Sequence, residues 1–164
     1  MTQSLTAYLR VHLAGTPVLV PREAVQSVRG LSGSVLPLAG KTPRPRGKTG
    51  HSRLVVDAAR LLGLGHVAGP DPTGLRMASA DENAGWLCLV DRVERIEDHG
   101  ATEVLPLPPA LGALRRWLSG VIVDPASDTA VCVLRAEPVI PPFTLLRHLR
   151  AAAVDPSPLR EELE

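Results

Sequence analysis

The apolar residues of this chain come in short bursts, and many of the bursts are closed by proline or glycine. "YLRVHL" (8–13) leads into Gly15, "VLV" (18–20) runs into Pro21, and "SVLPL" (34–38) is split by Pro37. With 16 prolines and 14 glycines in 164 residues, a long uninterrupted helix has almost nowhere to form. Proline removes a backbone donor and glycine favours turns. A set of short strands joined by tight turns is compatible with such punctuation. No apolar run approaches the ~18 residues that a membrane span requires.

The runs themselves are strand-like. "YLRVHLAGTPVLV" has the pattern of a β-hairpin turning at Gly15, and "EAVQSVRG" (23–30) carries Val25 and Val28 at apolar positions. "LRMASADENAGWLCLVDRVERIED" (75–98) is expected as strand, tight turn at 81–85, then strand. "SGVIVDPASDTAVCVLR" (119–135) forms a second hairpin around "DPASD". Helical signals are few. Asp57 is placed to cap a short helix at 58–62 that Gly63 ends. A proline-broken link precedes a short helix at 109–117. Pro141 and Pro142 open a C-terminal helix with Phe143, Leu146 and Leu149 as its apolar stripe. "DPSPLREELE" (155–164) is expected as a loose tail. The pattern suggests an all-β barrel architecture with peripheral helices. "RLVVDAARLLG" and "WLCLVDRVERI" echo one another, which chance or two similar half-barrels would explain.

Composition bounds the function. Hydrophobic residues make up 45% of the chain but aromatics only 2%, so the core is aliphatic. A net charge of +1 argues against nucleic-acid binding driven by phosphate neutralisation. The opening "MTQSLTAYLRVHLAG" has no basic segment followed by a long apolar run, and the expectation is a cytoplasmic protein. Cys88 and Cys132 lie in apolar segments and are expected as buried thiols.

Chemical motifs are near-misses. "AGKTPRPRGKTGH" (39–51) holds Gly-Lys-Thr twice, but a phosphate loop needs a glycine five positions earlier. Thr42 and Val35 stand there instead, and the following "GHSRLVV" is strand-like. "GLSGS" (30–34) ends in Ser34 where a nucleophile elbow needs glycine. The glycines of "GLGHVAG" (63–69) follow a helix rather than a strand. The five histidines show no metal-ligand spacing, and Asp57 and Asp91 each end an apolar run, where capping is the ordinary role. Neither an enzyme site nor a cofactor site emerges. A phosphate- or nucleotide-binding protein using the basic loop 40–51 remains the alternative function.

Six pieces in order resemble the CheW-like family of bacterial chemosensory adaptors, over about residues 7–140. They are "YLRVHLAGTPVLVP", "AVQSVRG", "RLVVDAARLLGL", "AGWLCLVDRVERI", "LPLPPAL" and "WLSGVIVDPASDTAVCVL". The resemblance implies two small five-stranded SH3-like β-barrels with an apolar groove between them, short peripheral helices and a C-terminal helix. It divides the chain into a tail at 1–6, the two-barrel domain at 7–140, and a C-terminal helix and tail at 141–164. It implies a non-enzymatic adaptor without a cofactor. Its partners would be a chemoreceptor cytoplasmic tip and the regulatory domain of a CheA-type histidine kinase, with no nucleic acid and no membrane insertion. The family positions map a receptor-binding groove to Val25, Leu75 and Ile96, for which plain core is the competing reading. The chain departs from the family at Gly47, Lys48, Thr49 and Gly50, where Asn-Leu-Arg-Gly is usual, and at Ser27, where Glu is common. Arg29, Arg46 and Lys48 offer positive charge from new places. A CheW-like regulator that binds only one partner is the third reading.

Overall fold

The computed structural model describes residues 7–37, 54–67, 69–78, 86–99, 102–124 and 127–161. The chain opens with β1 (Ala7–Leu13) and β2 (Thr16–Pro21), paired from Tyr8↔Pro21 to Leu13↔Thr16. That register leaves a two-residue turn. Ala14 (φ 50°) and Gly15 (φ 82°) both take positive φ, the geometry that matches the twist of a tight hairpin. The Gly15 N–H donates to the Asp91 carboxylate at 2.9 Å, so a residue from the middle of the chain fastens the turn.

The connectivity builds two five-stranded sheets. The chain continues through β3 (Val25–Ser32), β4 (Leu36–Pro37), β5 (Val55–Asp57), α1 (Ala58–Leu61), β6 (Thr73–Met77) and β7 (Leu87–Val90). It then returns as β8 (Arg92–Asp98), β9 (Leu118–Asp124) and β10 (Thr129–Leu134), with a 3₁₀ segment at Pro109–Arg116. It ends with α2 (Pro142–Ala151), β11 (Val154–Asp155) and β12 (Arg160–Glu161). The first sheet has the order β8-β1-β2-β10-β9 and the second β12-β3-β6-β7-β5. β7 and β8 are separated only by Asp91, so the chain passes from one sheet to the other within a single residue.

The two hairpins, the short helix after Asp57 and the C-terminal helix form where the sequence places them. The turn at 81–85 lies outside the described residues. Three expectations are corrected. Residues 155–161 are not a loose tail: β11 pairs with β4, and β12 pairs with β3 through Arg160↔Ser32 and Glu161↔Leu31. The internal echo does not mark two half-barrels, because β5 and β7 lie parallel and adjacent in one sheet. Finally, the stripe on α2 is rotated. Leu149 is buried and Leu145 packs beside it, whereas Phe143 is 90% and Leu146 38% exposed. The core meets α2 through positions four apart, 145 and 149, which a three-residue stripe starting at Phe143 does not capture.

Strand alternation places one large core between the sheets. Leu9, Val11 and Leu13 of β1 and Val18 and Val20 of β2 join Val56, Leu75, Cys88 and Val90 of the second sheet within one apolar cluster. The intervening positions face the other way: Tyr8, Leu19, Ile122, Val131 and Val133 fill the opposite side of the first sheet. Two glycines admit close crossings. A Cβ on Gly33 would lie 2.1 Å from the Pro158 carbonyl oxygen, and one on Gly120 would lie 2.1 Å from that of Leu105. The first crossing seats the C-terminal strand; the second lets the proline-rich link bridge to β9 through Leu105↔Val121.

Candidate functional site

An apolar crevice opens between the two sheets. One wall is Val11, Leu13, Val18 and Val20 from β1 and β2. The other is Leu61 and Leu62 at the end of α1, Met77 of β6, and Trp86, Cys88 and Val90. Trp117 and residues 134–136 and 138 complete the rim. The free space is about 30 Å³, room for the tip of one apolar side chain. Both tryptophans of the chain line it. In a core this poor in aromatics, that concentration marks the place where large, rigid side chains hold two layers apart.

Local structure explains why α1 presents its leucines there. The buried Asp57 carboxylate accepts the Arg60 N–H at 3.2 Å as helix cap, and the Val67 N–H at 3.1 and 3.2 Å. Gly63 (φ 73°) then turns the chain out of the helix. The four-residue helix is therefore pinned at its start, and its return loop is tied to the same carboxylate. The Asp57 carboxylate thus caps α1, while that of Asp91 accepts the Gly15 N–H in the distant β1–β2 turn. Burial, with the Asp57 charge nearby, pushes the Cys88 thiol up to about 12. It stays protonated and apolar in the crevice wall at neutral pH. The Cys132 thiol is also raised by burial.

The residues mapped from the sequence to the groove are not brought together. Leu75 is wholly buried in the shared core, opposite Val28 and Cys88, and offers no surface to a partner. It sits on β6 between β3 and β7, with its side chain in the shared cluster. Val25 is half-buried and pairs with Met77, so it adjoins the crevice without lining it. Ile96 is 61% exposed on β8, an edge strand of the first sheet, opposite Leu9. Arg29 forms an ion pair with Glu161 of β12. Arg46 and Lys48, with the rest of the basic loop 40–51, lie outside the described residues. Among the described residues, the first element downstream of that loop is the strand β5, whereas a phosphate loop needs a helix. The crevice residues missed in the sequence are Leu61, Leu62, Met77, Trp86 and Trp117. The signal available for them was the rarity of tryptophan.

A second polar feature lies along β1 and β8. Glu97 accepts from Arg10, from Arg95 at 2.7 Å and pairs with His99 at 2.7 Å, while His12 meets Glu94 at 2.7 Å. Burial opposes the Glu97 charge, but the hydrogen bonds from Arg10, His99 and Arg95 outweigh it and hold the carboxyl at about 2. The network places charge along an edge strand, a device that discourages unplanned strand pairing. Among the described residues, no three His, Cys, Asp or Glu side chains gather as metal ligands, and no helix is long and apolar enough to cross a membrane.

No family model and no curated protein matches the chain. Among solved structures it is similar to the crystal structure of scaffolding protein TtCheW from Thermoanaerobacter tengcongensis. The TM-score is 0.60 at 14% identity, covering 82% of this chain and 86% of that one. The fold is therefore CheW-like: mainly β, with two small SH3-like units and few helices.

Proposed function

We propose that the chain is a non-enzymatic, cytoplasmic adaptor of a bacterial chemosensory system. In this role it couples a chemoreceptor cytoplasmic tip to a CheA-type histidine kinase. The observation that carries this reading is the CheW-like arrangement of two sheets over most of the chain, shared with a protein described as a scaffold. The crevice supplies a physical basis. An amphipathic helix is recognised through apolar side chains seated in an apolar surface, and the Trp86–Trp117 crevice, with its aliphatic rim, has room for the tip of one of them. Leu61 on its rim and Val25 beside it are the contact points of the proposal. Ile96 and Arg29 would belong to separate surfaces.

The test is a titration of the purified chain with a receptor-tip helical fragment and, separately, with the kinase regulatory domain. Because both tryptophans line the crevice, receptor-fragment binding should change their emission. Leu61→Asp should weaken that binding by about tenfold or more, the effect of losing one buried anchor, without lowering the melting temperature by more than a few degrees. Val25→Asp and Ile96→Asp, compared in the same assay, locate the edge of the surface. Binding to one partner alone would make the protein a regulator rather than a coupling adaptor. Binding to neither would end the proposal.

A further inference from the structure

We propose that the outer face of α2, together with Val139 ahead of it, is a second docking surface, separate from the crevice, that takes an acidic amphipathic helix. Phe143 is 90% exposed, Val139 66% and Leu146 38%. Phe143 and Leu146 stand about one helical turn apart, the spacing at which a facing helix packs, and Val139, four residues before Phe143 in the chain, is exposed as well. The face cannot roll inward. Leu145 and Leu149 already hold the opposite side of α2 against the core, and the His148 ring meets Trp117 edge-on at a centroid distance of 6.1 Å. Turning Phe143 in would turn Leu149 out. Val139 is fixed as well, because its N–H donates to the Arg116 carbonyl at 3.0 Å.

Charge decides which occupant fits. Arg147 and Arg150 follow Phe143 by four and seven residues and are exposed on its side of the helix. The segment from 135 to 151 holds Arg135, Arg147 and Arg150 against one carboxylate, Glu137, and α2 itself holds no carboxylate. A second copy of this chain would bring the same basic helix to the contact. An apolar helix flanked by Asp or Glu would bury Phe143 and Leu146 while its carboxylates meet the guanidinium forks.

The experiment uses the full chain and two synthetic helical peptides. One carries leucines at i, i+4 and i+7 flanked by glutamates; its twin has every glutamate replaced by lysine. Fluorescence anisotropy should show the acidic peptide binding at least about tenfold more tightly than the twin at low salt, and losing affinity as salt rises. Phe143→Ser should weaken the acidic peptide about tenfold, as loss of one apolar anchor does. Arg147→Glu/Arg150→Glu should weaken it while improving the twin. All three positions are exposed, so the melting temperature should stay put. Leu61→Asp, in the crevice, should leave this binding unchanged, which separates the surface from the proposed adaptor site. Equal binding of the two peptides, no binding of the acidic one, or insensitivity to Phe143→Ser overturns the proposal. So does a Phe143-dependent dimer in sedimentation, or Phe143-dependent binding to phosphatidylserine vesicles in preference to the acidic peptide.

Discussion

Asp57 shows how much one side chain organises. The residue is only 2% exposed; the exposed His66 ring lies 4.0 Å away, and backbone N–H groups satisfy the carboxylate. Asp57→Ala removes a helix cap, worth about 0.5–2 kcal/mol, and strands the buried Val67 N–H, worth a further ~1–3 kcal/mol. Urea denaturation should therefore show a loss of about 1.5–5 kcal/mol. Asp57→Asn, which keeps an acceptor, should recover part of it. The capping role was legible from an aspartate standing before "AARLLG". That the same carboxylate also receives Val67, further along the chain, was not, because nothing local specifies where a loop returns.

At the scale of elements, the C-terminal strand is the clearest case of a segment whose structure is not its own. Two-residue strands have no stability alone. β12 exists because β3 offers an open edge and because Gly33 lets the Pro158 carbonyl pass. Gly33 also sits at φ 123°, a conformation that side chains resist. Gly33→Ala should therefore unseat the strand while leaving the sheets intact. Hydrogen exchange at Ser32, Arg160 and Glu161 should accelerate, and a protease should cut sooner near 156–161. Unchanged protection there would show that the crossing does not hold the strand. Helix α2 teaches the same lesson. Its proline start was readable from sequence, but it ends at Ala151 rather than 154, and its buried face was set by Trp117 and the core beneath it, and so fell on Leu145 and Leu149 rather than Phe143.

At the scale of the whole molecule, the two sheets share a large apolar cluster, and the first sheet keeps a small one of its own on its other side. Leu9, Val11 and Val18 from the first sheet and Leu75, Leu89 and Val90 from the second belong to the same cluster. The two SH3-like units should thus unfold together, in one transition seen alike by tryptophan emission and far-UV circular dichroism. Leu75→Ala should lower stability by about 2–5 kcal/mol, the cost of a cavity in a packed core, and should do so without splitting the transition. A biphasic curve would mean that each sheet folds by itself.

The sequence alone determined what depends on neighbours along the chain. Period-two runs, proline and glycine stops, a capping aspartate and two hairpin turns specify strands and short helices, because those choices are settled within a few residues. The order of those pieces was enough to resemble one fold. Tertiary structure decided what depends on residues far apart. It buried Leu75, put Ile96 on an outer edge, gathered Trp86 and Trp117 across the crevice, and drew residues 160–161 onto β3. The physical reason is that alternation tells which residues share a face of a strand, while burial depends on what is laid over that face. In this chain the covering piece often comes from the other sheet or from the far end of the sequence.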